Sequence, residues 1–84
     1  MENEEKLIAL SSLGLGQKAM IVAFSFETKE GEHIQKMGLI PGEQLEIVRL
    51  SPVGEPIEIK IRGYYLSLSK QEADRIKVKL FSAP

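Results

Sequence analysis

The 84-residue chain has no cysteine, so neither a disulfide framework nor a thiolate metal site can hold it together. It has one histidine, His33, and no serine patterned beside it, which leaves a histidine-based catalytic triad without its parts. A surface position is expected for that residue. No apolar run approaches the ~20 residues needed to span a bilayer. Basic residues are not in excess either, since eleven lysines and arginines face twelve acids for a formal charge of −1. The strongly basic footprint of a typical nucleic-acid binder is therefore missing. The first six residues, Met-Glu-Asn-Glu-Glu-Lys, are acidic where a secretory leader is basic, and Leu7 to Leu10 is too short for a leader core. A soluble cytoplasmic domain is the expectation.

What the chain does contain is 43% hydrophobic residues, enough for one small core. A chain of this size buries about 60–65% of its unfolded surface. Turn signals are closely spaced, which predicts a small β-barrel or sandwich rather than a helical bundle. Residues 1–9 are expected to fray, residues 10–81 to form a single domain, and residues 82–84 to be a tail. Leu10-Ser11-Ser12-Leu13-Gly14 reads as a helical turn with a serine cap and a closing glycine. A first strand is predicted over residues 18–26, with Ala19, Ile21 and Ala23 on one face and Met20, Val22 and Phe24 on the other. A short helix follows, placing Ile34 and Met37 on one side and ending at Gly38, with Pro41-Gly42 preventing its resumption.

Leu45 and Ile47 open a second strand that runs to Leu50. Residues 51–56 form a loop stiffened by Pro52 and Pro56. Ile57, Ile59 and Ile61 alternate strictly with Glu58, Lys60 and Arg62, the cleanest strand pattern in the chain. Gly63 makes a tight turn into Tyr64, Leu66 and Leu68. Ser69-Lys70-Gln71-Glu72 has capping-box spacing, and Ile76, Val78 and Leu80 form a last strand. The expected fold is mostly β: a small SH3-like, partly open barrel of about five strands. It has a short helix after the first strand and helical turns near the N-terminus and before the last strand.

Met37-Gly38-Leu39-Ile40-Pro41-Gly42 resembles the hallmark of the FeoA family, the small cytoplasmic partner of bacterial ferrous-iron transport. Pro52-Val53-Gly54-Glu55-Pro56-Ile57-Glu58-Ile59 and Arg62-Gly63-Tyr64-Tyr65-Leu66-Ser67-Leu68-Ser69-Lys70 also match, as do Leu10-Ser11-Ser12-Leu13 and Gly16-Gln17-Lys18-Ala19. The similarity runs from about Leu10 to Leu80. The chain departs from the family where His33, Gln35 and Lys36 stand in place of arginines, and again at Ser69. The resemblance implies a non-enzymatic accessory protein that binds and regulates a FeoB-type permease through its cytosolic GTP-binding region. Any contact with the membrane is then indirect. The expected contact residues are Met37, Leu39, Ile40 and Pro41 at the helix-to-strand corner and Pro52 and Val53 in the loop, with Tyr65 as an addition. The alternative for Leu39 and Ile40 is that they close the barrel.

Two other functions fit the same residues. A GTPase-activating protein would insert an arginine, and Arg49, Arg62 and Arg75 are the candidates. A weakly self-associating SH3-like regulatory module, related to the C-terminal domains of metal-dependent repressors, would use its sheet edges. The resemblance links the chain to transition-metal ion binding, but its own residues supply no ligand set. Glu30, Glu32 and Glu43 lie near His33 in sequence without the spacing of a metal motif. Gly14-Leu15-Gly16 lacks the lysine-serine ending of a phosphate loop. No cofactor and no catalytic residue is expected.

Overall fold

A computed structural model describes residues 7–24 and 28–81, apart from the side chains of Thr28 and Glu30. Strand β1 (Ile8–Ala9) leads into a 3-10 turn at Leu10–Ser12 and then β2 (Lys18–Phe24). Helix α1 (Thr28–Lys36), β3 (Gln44–Leu50), β4 (Ile57–Ile61) and β5 (Tyr64–Leu68) follow. Helix α2 (Lys70–Asp74) and β6 (Ile76–Leu80) complete the chain. The strands form one antiparallel sheet in the order β1-β6-β2-β3-β4-β5, which leaves β1 and β5 as its edges. This is a mostly β, incompletely closed barrel.

The core follows from strand alternation. Ile57, Ile59 and Ile61 are buried and face Ile47 and Leu45 of β3, while Lys60 and Arg62 are exposed. Ala19, Ile21, Ile76 and Val78 continue this layer across β2 and β6. Ile34 of α1 and Ala73 of α2 cover it from the helices. No polar side chain is buried among the described residues.

The fold differs from the sequence reading in four places. There are six strands among the described residues rather than about five. The additional one, β1, lies within the segment expected to fray, and Ile8 pairs with Val78. Ala23 does not share the inner face with Ile21. The register of β2 on β6 shifts between Ile21 and Ala23, and this bulge turns Ala23 out to solvent and leaves Phe24 packed against the core. The 3-10 turn has no serine cap. Its first flanking residue is Ala9, and Ser12 Oγ instead donates back to the Ala9 carbonyl at 2.7 Å. Gly14 does not close the turn, because Leu13 already leaves it in extended geometry. Residues 25 and 26 of the expected first strand, residues 1–6 and the tail lie outside the described residues.

The hairpin turn and the capping box form as read. Arg62 and Gly63 take φ of +53° and +88°, the left-handed pair a two-residue turn requires between strands of native twist. Glu72 N donates to Ser69 Oγ at 3.0 Å, and Ser69 N donates to the Glu72 carboxylate at 2.9 Å.

Candidate interaction surface

At the end of α1, Gly38 adopts φ +94° and turns the chain back toward the sheet. Leu39 N reaches the Ile34 carbonyl at 3.3 Å, which swings the Leu39 side chain inward. Leu39 is 0% exposed and fills the core, so it presents nothing to a partner. The expectation of Leu39 as a surface anchor is thus corrected. The chain needs an apolar plug where a nine-residue helix ends over the sheet, and Leu39 supplies it. Ile40 is 36% exposed and Pro41 is exposed, while Met37 is half-buried against the core. Gly42 N donates to the Ile21 carbonyl at 2.8 Å and Ile21 N to the Glu43 carbonyl at 2.9 Å, which ties the corner to β2. The Tyr64 hydroxyl donates to the Met37 carbonyl at 2.8 Å.

The loop between β3 and β4 is held separately. Gly54 N donates to the Ser51 carbonyl at 2.9 Å, Val53 N to Ser51 Oγ at 3.3 Å, and the Glu55–Pro56 peptide is cis. Lys70 N, at the start of α2, donates to the Glu55 carboxylate at 2.7 Å. The loop is thereby fastened at its tip and at its base. Val53 projects from it, 79% exposed, beside an exposed Pro52.

The corner and the loop are not one patch. The corner enters β3 at Gln44, and the loop leaves β3 at Leu50. They sit at opposite ends of the sheet, about 20 Å apart at the rise of a strand. Tyr65 lies between them on the outer face, 58% exposed and opposite Lys60.

The charged candidates are scattered. Arg49 pairs with Glu58 at 3.4 Å and Arg62 with Glu43 at 3.5 Å. Among the described residues no three histidine, aspartate or glutamate side chains come together to hold a metal ion. His33 is exposed and borders a pocket of about 350 Å³ between α1 and α2, where Glu72 commits its carboxylate to the capping box. No helix among the described residues is long and apolar enough to cross a membrane. The signal that sequence reasoning missed is Tyr64, whose hydroxyl joins the hairpin to the helix end.

The described residues thus define a small, six-stranded open barrel of the SH3-like class, with exposed apolar side chains at separate ends. A model of the FeoA domain matches residues 8–80, and the chain belongs to that family. It is 31% identical over 74 residues to a Porphyromonas gingivalis protein described as a fusion of Fe(2+) transport protein A with Fe(2+) transporter FeoB. That match covers 88% of this chain and 9% of the fusion protein, so the chain spans a small part of that relative's length. Among solved structures, a FeoA-like protein from Clostridium acetobutylicum superposes with a TM-score of 0.86 at 32% identity, covering 96% of this chain and 94% of that one. A Stenotrophomonas maltophilia FeoA, complexed with zinc and described as a procaryotic SH3 domain protein, gives 0.73 at 25% identity, with coverages of 84% and 88%. A manganese-dependent transcriptional repressor shares the fold at a TM-score of 0.84 and 14% identity, with coverages of 94% and 44%.

Proposed function

We propose that this protein is a non-enzymatic, cytoplasmic accessory subunit of ferrous-iron uptake that binds a FeoB-type permease and biases its conformation. The observation that carries the reading is the fusion in Porphyromonas gingivalis, where a region similar to this chain belongs to one polypeptide with the transporter. Covalent linkage of two modules raises their effective concentration and is useful where they meet. A small rigid barrel shifts its partner's equilibrium only by binding one state better than another. The loop carrying Pro52 and Val53 is the favoured contact. It holds the most exposed large apolar side chain among the described residues, and its hydrogen bonds reduce the ordering cost of docking. At the corner, Leu39 is spent on the core.

The arginine-finger alternative is disfavoured by placement. Arg49 lies within β3, Arg62 in a two-residue hairpin turn, and Arg75 directly follows a five-residue helix, so none stands on an extended loop that could reach into a nucleotide site. The test is binding of the full-length permease in nanodiscs to the immobilised protein, with GTP hydrolysis measured in parallel. Saturable binding, with GTP hydrolysis unaffected by alanine at Arg49, Arg62 or Arg75, is the expected result. Absence of binding overturns the accessory reading, and loss of stimulated hydrolysis with binding retained would make the protein a GTPase activator.

A further inference from the structure

Strand β5 is only half used by the sheet, since it pairs with β4 alone. The two-residue turn decides which of its backbone groups that pairing consumes. Ile61 and Tyr64 flank the turn as a mutually hydrogen-bonded pair, so Ile59 with Leu66 and Ile57 with Leu68 repeat the pattern. The N–H and C=O groups of Tyr65 and Ser67 therefore point away from β4. Among the described residues they meet no other strand and no turn or loop backbone, and both side chains are exposed. Sheet edges are commonly guarded by a charge, a proline or a bulge. Tyr64-Tyr65-Leu66-Ser67-Leu68 has no charge or proline, and it pairs with β4 without a register shift. At the opposite edge, β1 is only two residues long.

The charges around this edge decide what kind of strand it suits. Cations stand beyond both ends, Arg62 in the turn and Lys70 at the start of α2. Their carboxylate partners, Glu43 and Asp74, each lie at 3.5 Å. The Lys70–Asp74 pair is exposed on both sides, and in the other pair Glu43 is half-buried but the Arg62 guanidinium is exposed, so both cations remain open to a partner. Lys60, directly across from Tyr65, is exposed and makes no ion pair among the described residues. Glu58, across from Ser67, is engaged by Arg49 at 3.4 Å. A second copy fits this environment poorly. A two-fold axis through Leu66 would pair Tyr65 with Ser67 of the copy but bring Arg62 and Lys70 together at both ends, like charge against like.

We propose that the free edge of β5 accepts an extended segment of a partner protein, with an uncharged centre of alternating apolar and small polar residues and carboxylates toward its ends. Backbone bonds to Tyr65 and Ser67 provide the attachment, and Lys60, Arg62 and Lys70 select the acidic ends. This edge is independent of the permease reading and can fail or hold without it.

The test is an amide NMR and hydrogen-exchange titration of the intact protein with a short blocked peptide of alternating valine and threonine ended by glutamates. The same peptide ended by lysines serves as the comparison. At saturation the Tyr65 and Ser67 amides should exchange about tenfold more slowly or better, and the lysine-ended peptide should bind roughly tenfold more weakly. Ser67→Pro removes an outward N–H without touching the β4 ladder and should abolish the slowing at Tyr65. Should that variant fail to fold, the Lys60→Glu, Lys70→Glu pair should invert the preference toward the lysine-ended peptide. The proposal is overturned by shifts confined to another surface, undiminished binding by a folded Ser67→Pro, equal binding of both peptides, or an unchanged preference after charge inversion. Protection of the two amides that grows with protein concentration alone also overturns it, by giving the edge to a second copy.

Discussion

Gly38 satisfies two separate constraints at one α-carbon. Its φ of +94° is a conformation that costs a residue with a side chain about 1–2 kcal/mol. A Cβ there would also lie 2.0 Å from the Tyr64 hydroxyl oxygen, the same hydroxyl that bonds the Met37 carbonyl. Gly38→Ala should therefore lower stability by about 2–3 kcal/mol, the backbone cost plus the displaced hydrogen bond. Tyr64→Phe alone should cost about 1 kcal/mol. In the Tyr64→Phe background the nearest remaining atom is the ring carbon at 3.4 Å, so Gly38→Ala should cost less there than in the wild type. Urea denaturation of the four proteins measures this, and strict additivity would refute the contact. The glycine's role in ending a helix is legible in the sequence because it is local. The tyrosine that also requires it is 26 residues away, and no local pattern announces it.

Among the elements, the two serine-rich segments show what local reading can reach. Ser69 and Glu72 are three residues apart, and their capping box is a property of that spacing alone. Ser11 has no such local partner. Its hydroxyl donates to the Asp74 carboxylate and so ties the 3-10 turn to the end of α2. That bond is the largest cause holding the Asp74 pKa below its ordinary 3.8, with the charges of Lys70 and Lys77 acting the same way. A carboxyl whose pKa is lower folded than unfolded stabilises the fold above the unfolded value. That stabilisation is lost as pH falls through the folded value. The stability gap between wild type and Ser11→Ala should therefore stay constant near neutrality and narrow as pH drops below 3.8. Urea midpoints across an acid pH series give the answer, and a gap that does not narrow would remove Ser11 as the cause.

For the whole molecule, the decisive fact is that β3 runs between the two apolar ends. The corner with Ile40 and the loop with Val53 are too far apart to share a small contact. If the loop is the permease contact, Val53→Glu should weaken permease binding about tenfold or more, as expected for a central apolar anchor. Ile40→Glu should leave that affinity within about threefold, as expected for a residue outside the contact. Val53 is exposed enough that folding stability should move by only about 0.5 kcal/mol, whereas Ile40, 36% exposed, gives up part of its burial and should cost about 1 kcal/mol. Binding curves and thermal melts of the two variants separate the ends. A larger loss at Ile40 would transfer the contact to the corner.

Much of the fold is present in short-range pattern. The isoleucine alternation of β4, the Arg62-Gly63 turn and the α2 capping box each depend on neighbours within a few residues, and each forms as its spacing dictates. Where the sequence reading went astray, the missing information was a cross-strand register or a distant partner. The bulge after Ile21 depends on how β2 lies on β6, which is what turns Ala23 outward. The strand Ile8–Ala9 exists because Val78 and Lys77 are there to pair with it. Leu39 and Ile40 are adjacent aliphatic residues with equal claims to the core, and only the chain's path after Gly38 buries one and exposes the other. By itself the sequence determined the alternation, the turns and the family motifs, because those depend on neighbouring residues. Tertiary structure alone decided which apolar side chains remain available to a partner, because exposure is fixed by what the rest of the chain covers.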